Sequence, residues 1–166
     1  MRIDYTGKLT EFNQYDRFNN QVTVELRNSR FSNGEKILLL ADWGFAFETP
    51  VPHLVADHLN LAGSNPLVGP NDPIGDRFPV ATNLYLVPKL TPKPSGIAAG
   101  LKHGVVPTDE EILLIKKLGA DFYCYNLVPT ALVAAHAGWK IRAVVLPEAS
   151  GFTFDQLFGD FDQRNK

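Results

Sequence analysis

The stretch from Asp57 to Pro79, DHLNLAGSNPLVGPNDPIGDRFP, holds four prolines, three glycines and three asparagines in twenty-three residues. Proline fixes φ, while glycine and asparagine accept turn conformations closed to most residues. So much restricted and permissive backbone specifies an ordered loop rather than a slack one. Long loops inside compact domains are usually functional or disordered. Apolar segments flank this one on both sides, which favours an ordered, functional loop.

The rest of the chain supplies the frame for such a loop. Its 166 residues suit one domain with a real core, 45% hydrophobic and 20% charged. A net charge of −2 leaves no basic footprint, so nucleic acid is not expected as a partner. Apolar runs such as Ile37–Ala41 are too short to span a bilayer. The polar N-terminus does not read as a signal peptide, and a cytoplasmic, membrane-free protein is expected. A single cysteine, Cys124, excludes an internal disulfide framework and a multi-cysteine metal site. No cofactor is expected.

Residues 1–34 are polar and turn-rich. Within them Gln21–Leu26 alternates as a half-buried strand, and Asn33-Gly34 signals a turn. Lys36–Ala41 is a continuous apolar run suited to a buried strand. His53–Leu61 reads as a second strand leading into the loop, and Leu84–Val87 as a short extended piece. Thr91-Pro92-Lys93-Pro94-Ser95-Gly96 reads as a linker.

The second half is more regular. Thr108 and Glu111 form a capping box, and Asp109 and Glu110 complement the positive end of the helix they open. Ile112, Ile115 and Leu118 share an apolar face broadened by Leu113 and Leu114. Lys116 and Lys117 suit the last turn and Gly119 the stop. Phe122–Tyr125 reads as a strand, Pro129 to Ala137 as a helix ended by Gly138, and Ile141–Leu146 as a strand. The alternation predicts an α/β fold. The tail at 151–166 carries Phe152, Phe154, Leu157, Phe158 and Phe161, and should dock on the body or on a neighbour.

Two blocks carry a family likeness. One is the Asp57–Pro79 loop. The other is Lys117-Leu118-Gly119-Ala120-Asp121 with Val128-Pro129 and Ala134-Ala135-His136-Ala137-Gly138-Trp139. In order and spacing they resemble the trimeric purine nucleoside phosphorylases, over roughly residues 37–146. The resemblance implies a phosphorylase-like α/β fold, a mixed sheet flanked by helices, in one domain. Residues 35–150 would be the family-like core, and 1–34 a divergent N-terminal strand region.

The resemblance also implies where ligands would sit. Phosphorolysis needs a held phosphate, a stabilised ribosyl centre and a purine made a better leaving group. The family's glycine/serine phosphate loop has no counterpart here, since residues 1–34 contain only Gly7 and Gly34. Its Asn-Ala-Ala-Gly-Gly turn becomes Ala41-Asp42-Trp43-Gly44-Phe45, and Asp42 would repel an anion. Its base-binding Glu falls on Pro107. Glu110 and Glu111 are accounted for by capping. Its Asn partner for the base falls near Ala149.

Its Met-Ser-Thr turn becomes Tyr125-Asn126-Leu127. Tyr125 keeps a ring to cover a sugar or base, and Asn126 keeps a donor for an anion. These two are the candidate ligand residues. Ile74, Asp76, Arg77 and Phe78 are the interface-loop candidates, with Ile74 in place of a family aromatic that enters the neighbouring subunit's pocket.

Elsewhere the plain reading prevails. Asp57 and His58 are expected to pin the loop rather than act as a general base. His136, Trp43 and Trp139 are expected to pack, Cys124 to be inert, and His53 and His103 to bind no metal.

The expectation is a shortened, divergent relative with an impaired site. It would act as a nucleoside-like ligand-binding, structural or regulatory homo-oligomer. The alternatives are an active phosphorylase or nucleosidase with a rebuilt site, using phosphate as co-substrate, or a partner that completes the assembly of a full-length phosphorylase.

Overall fold

A computed structural model describes residues 2–6, 36–69, 76–87, 93–147 and 154–158. The expected strand at Gln21–Leu26, the turn at Asn33-Gly34 and Ile74 lie outside these.

Six strands form one mixed sheet: β1 (Arg2–Thr6), β2 (Ile37–Ala46), β3 (His53–Asn60), β4 (Ser95–Gly100), β5 (Phe122–Cys124) and β6 (Lys140–Pro147). Their order is β1-β2-β5-β4-β3-β6, and β2 also pairs with β6. That extra pairing closes β2, β5, β4, β3 and β6 into a ring, with β1 added on β2. Pairing is parallel between β1 and β2, β2 and β6, β3 and β4, and β4 and β5. It is antiparallel between β2 and β5 and between β3 and β6. The α/β class and the mixed sheet expected from the sequence are both present, with closure as an added feature.

β2 is the spine. Leu38 and Leu40 join one core, while Ile37, Leu39 and Ala41 join another. Successive strand side chains point to opposite faces, so an unbroken apolar run marks a strand covered on both sides. Burying each such leucine stabilises the fold by about 1.5–3 kcal/mol. β2 is longer than the apolar run suggested. It continues through Asp42, Trp43, Gly44 and Phe45, because β6 accompanies it to Gly44↔Pro147 and β5 takes it on to Ala46↔Phe122.

The first core is filled by α2 (Leu127–His136), which packs Leu127, Val128, Ala131 and Ala134 with Leu38, Leu40, Ala143 and Val145. Gly100 of β4 makes room for it, since a β-carbon there would collide with Val128. The second core is covered by α3 (Phe154–Phe158), whose Leu157 and Phe158 sit among Ile37, Leu39, Val144 and Leu146. The expected docking of the apolar tail is seen at these residues.

α1 (Asp109–Lys117) has the expected capping box. Thr108 Oγ1 accepts the Glu111 N–H, and the Glu111 carboxylate accepts the Thr108 N–H at 2.7 Å. Gly119 stops it at φ +94°. The apolar face differs from expectation. Ile115 alone is buried, whereas Leu113, Leu114 and Leu118 are about half exposed.

One further reading is corrected and another is met. Ser95-Gly96 is the start of β4 rather than the end of a linker. The Leu84–Val87 piece contributes a single bridge, Tyr85↔Ile141. No helix among the described residues is long and apolar enough to cross a membrane.

Candidate functional site

The two candidate ligand residues lie where β5 runs into α2. Asn126 is the N-cap of α2, yet its own side chain makes no capping bond. The first N–H groups of a helix have no partner within it and must find one elsewhere. Here they find Asp42, brought over by β2. Its Oδ2 accepts the N–H of Asn126 at 2.9 Å and of Leu127 at 2.7 Å. Its Oδ1 accepts the Trp43 N–H at 2.9 Å and the Asn126 side-chain amide at 3.4 Å. Asp42 is fully buried and Asn126 nearly so. The carboxylate therefore acts as an internal anion seated at the positive end of α2.

Burial pushes the Asp42 carboxyl up to about 6, against the pull of the Asn126, Leu127 and Trp43 amides, which favour the charged form. Cys124 lies beside it. Burial, reinforced by the Asp42 charge, raises its thiol well above the ordinary range. A raised pKa favours the thiol over the nucleophilic thiolate.

Tyr125 is half-buried and presents its ring to a different side. Its hydroxyl donates to the Val105 carbonyl at 2.8 Å. Its ring meets His103 and Tyr123 edge-on, each at 6.0 Å. Tyr123 in turn stacks on Phe45 at 5.0 Å and touches Phe47 at 6.0 Å. An aromatic wall thus runs along the β2–β5 edge, with Phe45 40% exposed at its rim.

The retained loop lies elsewhere. Asp76, Arg77 and Phe78 are exposed, Phe78 to 83%. The Arg77 guanidinium lies 5.8 Å over the Phe78 ring. With Asn65 and Val68, Arg77 and Phe78 border a cavity of about 440 Å³ whose floor is Leu132 and Ala135 of α2. Tyr125 and Asn126 are not among its lining residues. The loop is pinned as its composition suggested. Asn65 Oδ1 accepts the Leu67 N–H at 2.8 Å, and the Asn60 amide donates to the Ser64 carbonyl at 2.9 Å.

Asp57 and His58 do not form a side-chain dyad. Asp57 Oδ1 accepts the His58 backbone N–H, while His58 Nδ1 is 2.7 Å from the Tyr85 hydroxyl. His53 Nδ1 donates to the Val51 carbonyl and its ring packs on Phe122. His136 and Trp139 are buried. Among the described residues no three His, Cys, Asp or Glu side chains gather as metal ligands.

Three features were not anticipated: Asp42 as the cap of α2, Tyr85 as the partner of His58, and the Phe45–Tyr123 stack. Only the first had a signal. The signal is partial: the first turn carries no acid, but Asn126 is itself a good capping residue, and only the structure shows its side chain making no capping bond.

No family model matches the chain. Among individual proteins, purine nucleoside phosphorylase 1 of Geobacillus stearothermophilus is 28% identical over 149 residues, covering 80% of this chain and 54% of that protein. The purine nucleoside phosphorylase of Rattus norvegicus is 36% identical over 112 residues, 57% of this chain and 39% of that one. The chain spans about half the length, or less, of the curated relatives it matches.

Among solved structures, a Schistosoma purine nucleoside phosphorylase in complex with guanosine has a TM-score of 0.68 at 20% identity, covering 92% of this chain and 68% of that one. The Schistosoma mansoni enzyme in complex with adenosine gives 0.67 at 21%, covering 82% and 56%. The chain is thus similar in sequence to purine nucleoside phosphorylases over part of their length, and it shares their fold.

Proposed function

We propose that this protein keeps the phosphorylase frame without phosphorolysis, and acts as a nucleoside-like ligand-binding or structural subunit in a homo-oligomer. The observation that carries this reading is the Asp42 carboxylate on the Asn126 and Leu127 amides. In the family resemblance this strand end and this turn are the ones that border phosphate. An attacking phosphate needs free donors aimed at it and no fixed negative charge between them. Here the donors are already taken, and the group that takes them would repel a dianion at neutral pH.

The purine side supports the same reading. Pro107 stands where the family places its base-binding carboxylate, and Pro107 is buried just before the Thr108 cap. What is left for a planar ligand is stacking on the aromatic wall at Tyr125, Tyr123 and Phe45. Guanosine and adenosine, held by the two schistosome proteins, are the first ligands to try. Asp76, Arg77 and exposed Phe78 supply a loop surface suited to contact between subunits.

The deciding assay is purine release from inosine and guanosine, with and without phosphate, at high protein concentration. No release is expected. Phosphate-dependent release that disappears in the Tyr125→Ala variant would overturn the proposal in favour of an active enzyme with a rebuilt site. A thermal-shift series with nucleosides, bases and phosphate separates ligand binding from a purely structural role, because a ligand specific to the folded state raises Tm.

A further inference from the structure

A polar cavity of about 410 Å³ lies where several strand ends meet the end of a helix. Glu48 and Thr49 follow β2, His53 opens β3, Ser95 opens β4, Lys116 lies in the last turn of α1 and Asp121 leads into β5. Backbone bonds hold these ends together. The Phe47 N–H donates to the Asp121 carbonyl at 3.1 Å, Leu54 to Pro94 at 2.8 Å and Asp121 to Ile97 at 2.9 Å. The cavity shares Phe47 with the aromatic wall, but Tyr123, Tyr125 and Asn126 do not line it.

His53 supplies the decisive group. It is only 9% exposed. Its Nδ1 donates to the Val51 carbonyl at 2.6 Å and its ring packs on Phe122. With the proton on Nδ1, Nε2 of the neutral ring carries a lone pair. Among the described residues no donor meets that lone pair, and Nε2 is not sealed off as a buried unpartnered atom. The open space beside it is this cavity. Asp121 is fixed as firmly. It lies over Gly96, where a β-carbon would collide with its carboxylate, and its Oδ2 accepts the Ile97 N–H at 2.8 Å. Its Oδ1 makes no hydrogen bond to a described residue. Lys116, Glu48 and Asp121 border one space, yet no ion pair joins them. Opposite charges that share a hollow without satisfying each other are open to a ligand that carries both signs.

We propose that this cavity binds a small zwitterion of the amino acid class, its ammonium group held by His53 Nε2 and the Asp121 carboxylate and its carboxylate held by Lys116. The lining selects this class. An ammonium supplies the donors that a histidine lone pair and a carboxylate need. A simple anion would meet Lys116 but also face Glu48 and Asp121, and a simple amine would leave Lys116 unmatched. Small-molecule sites ordinarily enclose about 300–1,000 Å³, so the space suits an amino acid. The site is separate from the nucleoside reading above and does not depend on it.

A thermal-shift series tests this with glycine, L-glutamine and 4-aminobutyrate, and with butylamine and butyrate as single-charge controls at equal ionic strength. At least one of the zwitterions should raise Tm in a saturable way, and neither control should. Nitrogen NMR should show the His53 Nε2 signal moving with that zwitterion. Lys116→Gln and Asp121→Asn should each weaken binding at least about tenfold. Lys116 is exposed, so its replacement leaves the fold intact, and the oxygen kept in Asp121→Asn can still accept the Ile97 N–H. No response to any of the zwitterions would overturn the proposal, as would a response that butylamine or butyrate matches. So would an unmoved His53 signal, or binding that survives unchanged in either variant.

Discussion

Asp42 and Leu127 are 85 positions apart, yet the Asp42 Oδ2 accepts the Leu127 N–H at 2.7 Å inside the core. This bond joins the spine strand β2 to the start of the buried helix α2. A carboxylate with no solvent must be repaid by fixed donors. Three backbone amides and one side-chain amide serve here.

Stability should depend on the ionisation of Asp42. Its pKa rises from 3.8 to about 6 on folding, with burial as the main cause. The folded state therefore binds the proton more tightly than the unfolded state. The resulting stabilisation is complete below the unfolded pKa and is lost as pH rises through about 6. The shift corresponds to about 3 kcal/mol. Urea unfolding of the wild type and of Asp42→Asn, followed from pH 4 to 7, should show the wild type losing stability relative to the variant. Parallel pH profiles would contradict this.

Removing the carboxylate should leave a vacancy that a small anion fills. Asp42→Ala strips the acceptor from the Asn126, Leu127 and Trp43 amides and should destabilise the fold by about 2 kcal/mol. Formate is the same carboxylate without its tether. It should raise the Tm of Asp42→Ala more than chloride does at equal ionic strength, and should not do so for the wild type. If formate and chloride act alike on the variant, the helix start does not behave as an anion seat.

Local signals were legible and distant partnerships were not. The capping box at Thr108 and Glu111, the stop at Gly119 and the strand in the Ile37–Ala41 run follow from neighbours in sequence, and all are present. β4 was missed because Ser-Gly-Ile-Ala-Ala-Gly has little strand propensity. Its position between β3 and β5, and the need for small residues beneath α2, decide its structure instead. The α1 leucines follow a helical period, but periodicity cannot tell which side faces a core. The site divided in the same way. The turn Tyr125-Asn126-Leu127 was located by resemblance, whereas the seat of Asp42 on it depends on a strand that ran past its expected end.

Gly44 should tolerate no side chain. It sits where β2 is flanked by Cys124 of β5 and Pro147 of β6. A β-carbon there would collide with the Tyr123 carbonyl oxygen and lie 2.6 Å from Val145 Cγ1. The first obstacle is backbone held in a strand pair, so it cannot swing aside. Gly44→Ala should cost about 1–3 kcal/mol through overpacking. Denaturant titration measures this, and a variant within 0.5 kcal/mol of wild type (about the scatter of surface substitutions) would show that β2 and β5 are less tightly fixed.

The His58–Tyr85 bond gives a second, opposite pH effect. Burial holds the His58 imidazole below its ordinary value of 6.5, only partly offset by the Asp57 charge. Burial also keeps the Tyr85 phenol protonated, well above its usual range. The folded state thus favours neutral His58. Its contribution is present above the unfolded pKa of 6.5 and is lost as pH falls through the lowered folded value. Tyr85→Phe removes the partner 2.7 Å from Nδ1 and leaves that nitrogen half-buried without it. The loss should be about 1 kcal/mol near pH 7. NMR titration of the His58 ring should give a midpoint below that of a free histidine. A midpoint at or above the free value would mean that solvent, rather than the Tyr85 side of the loop, sets the state of this residue.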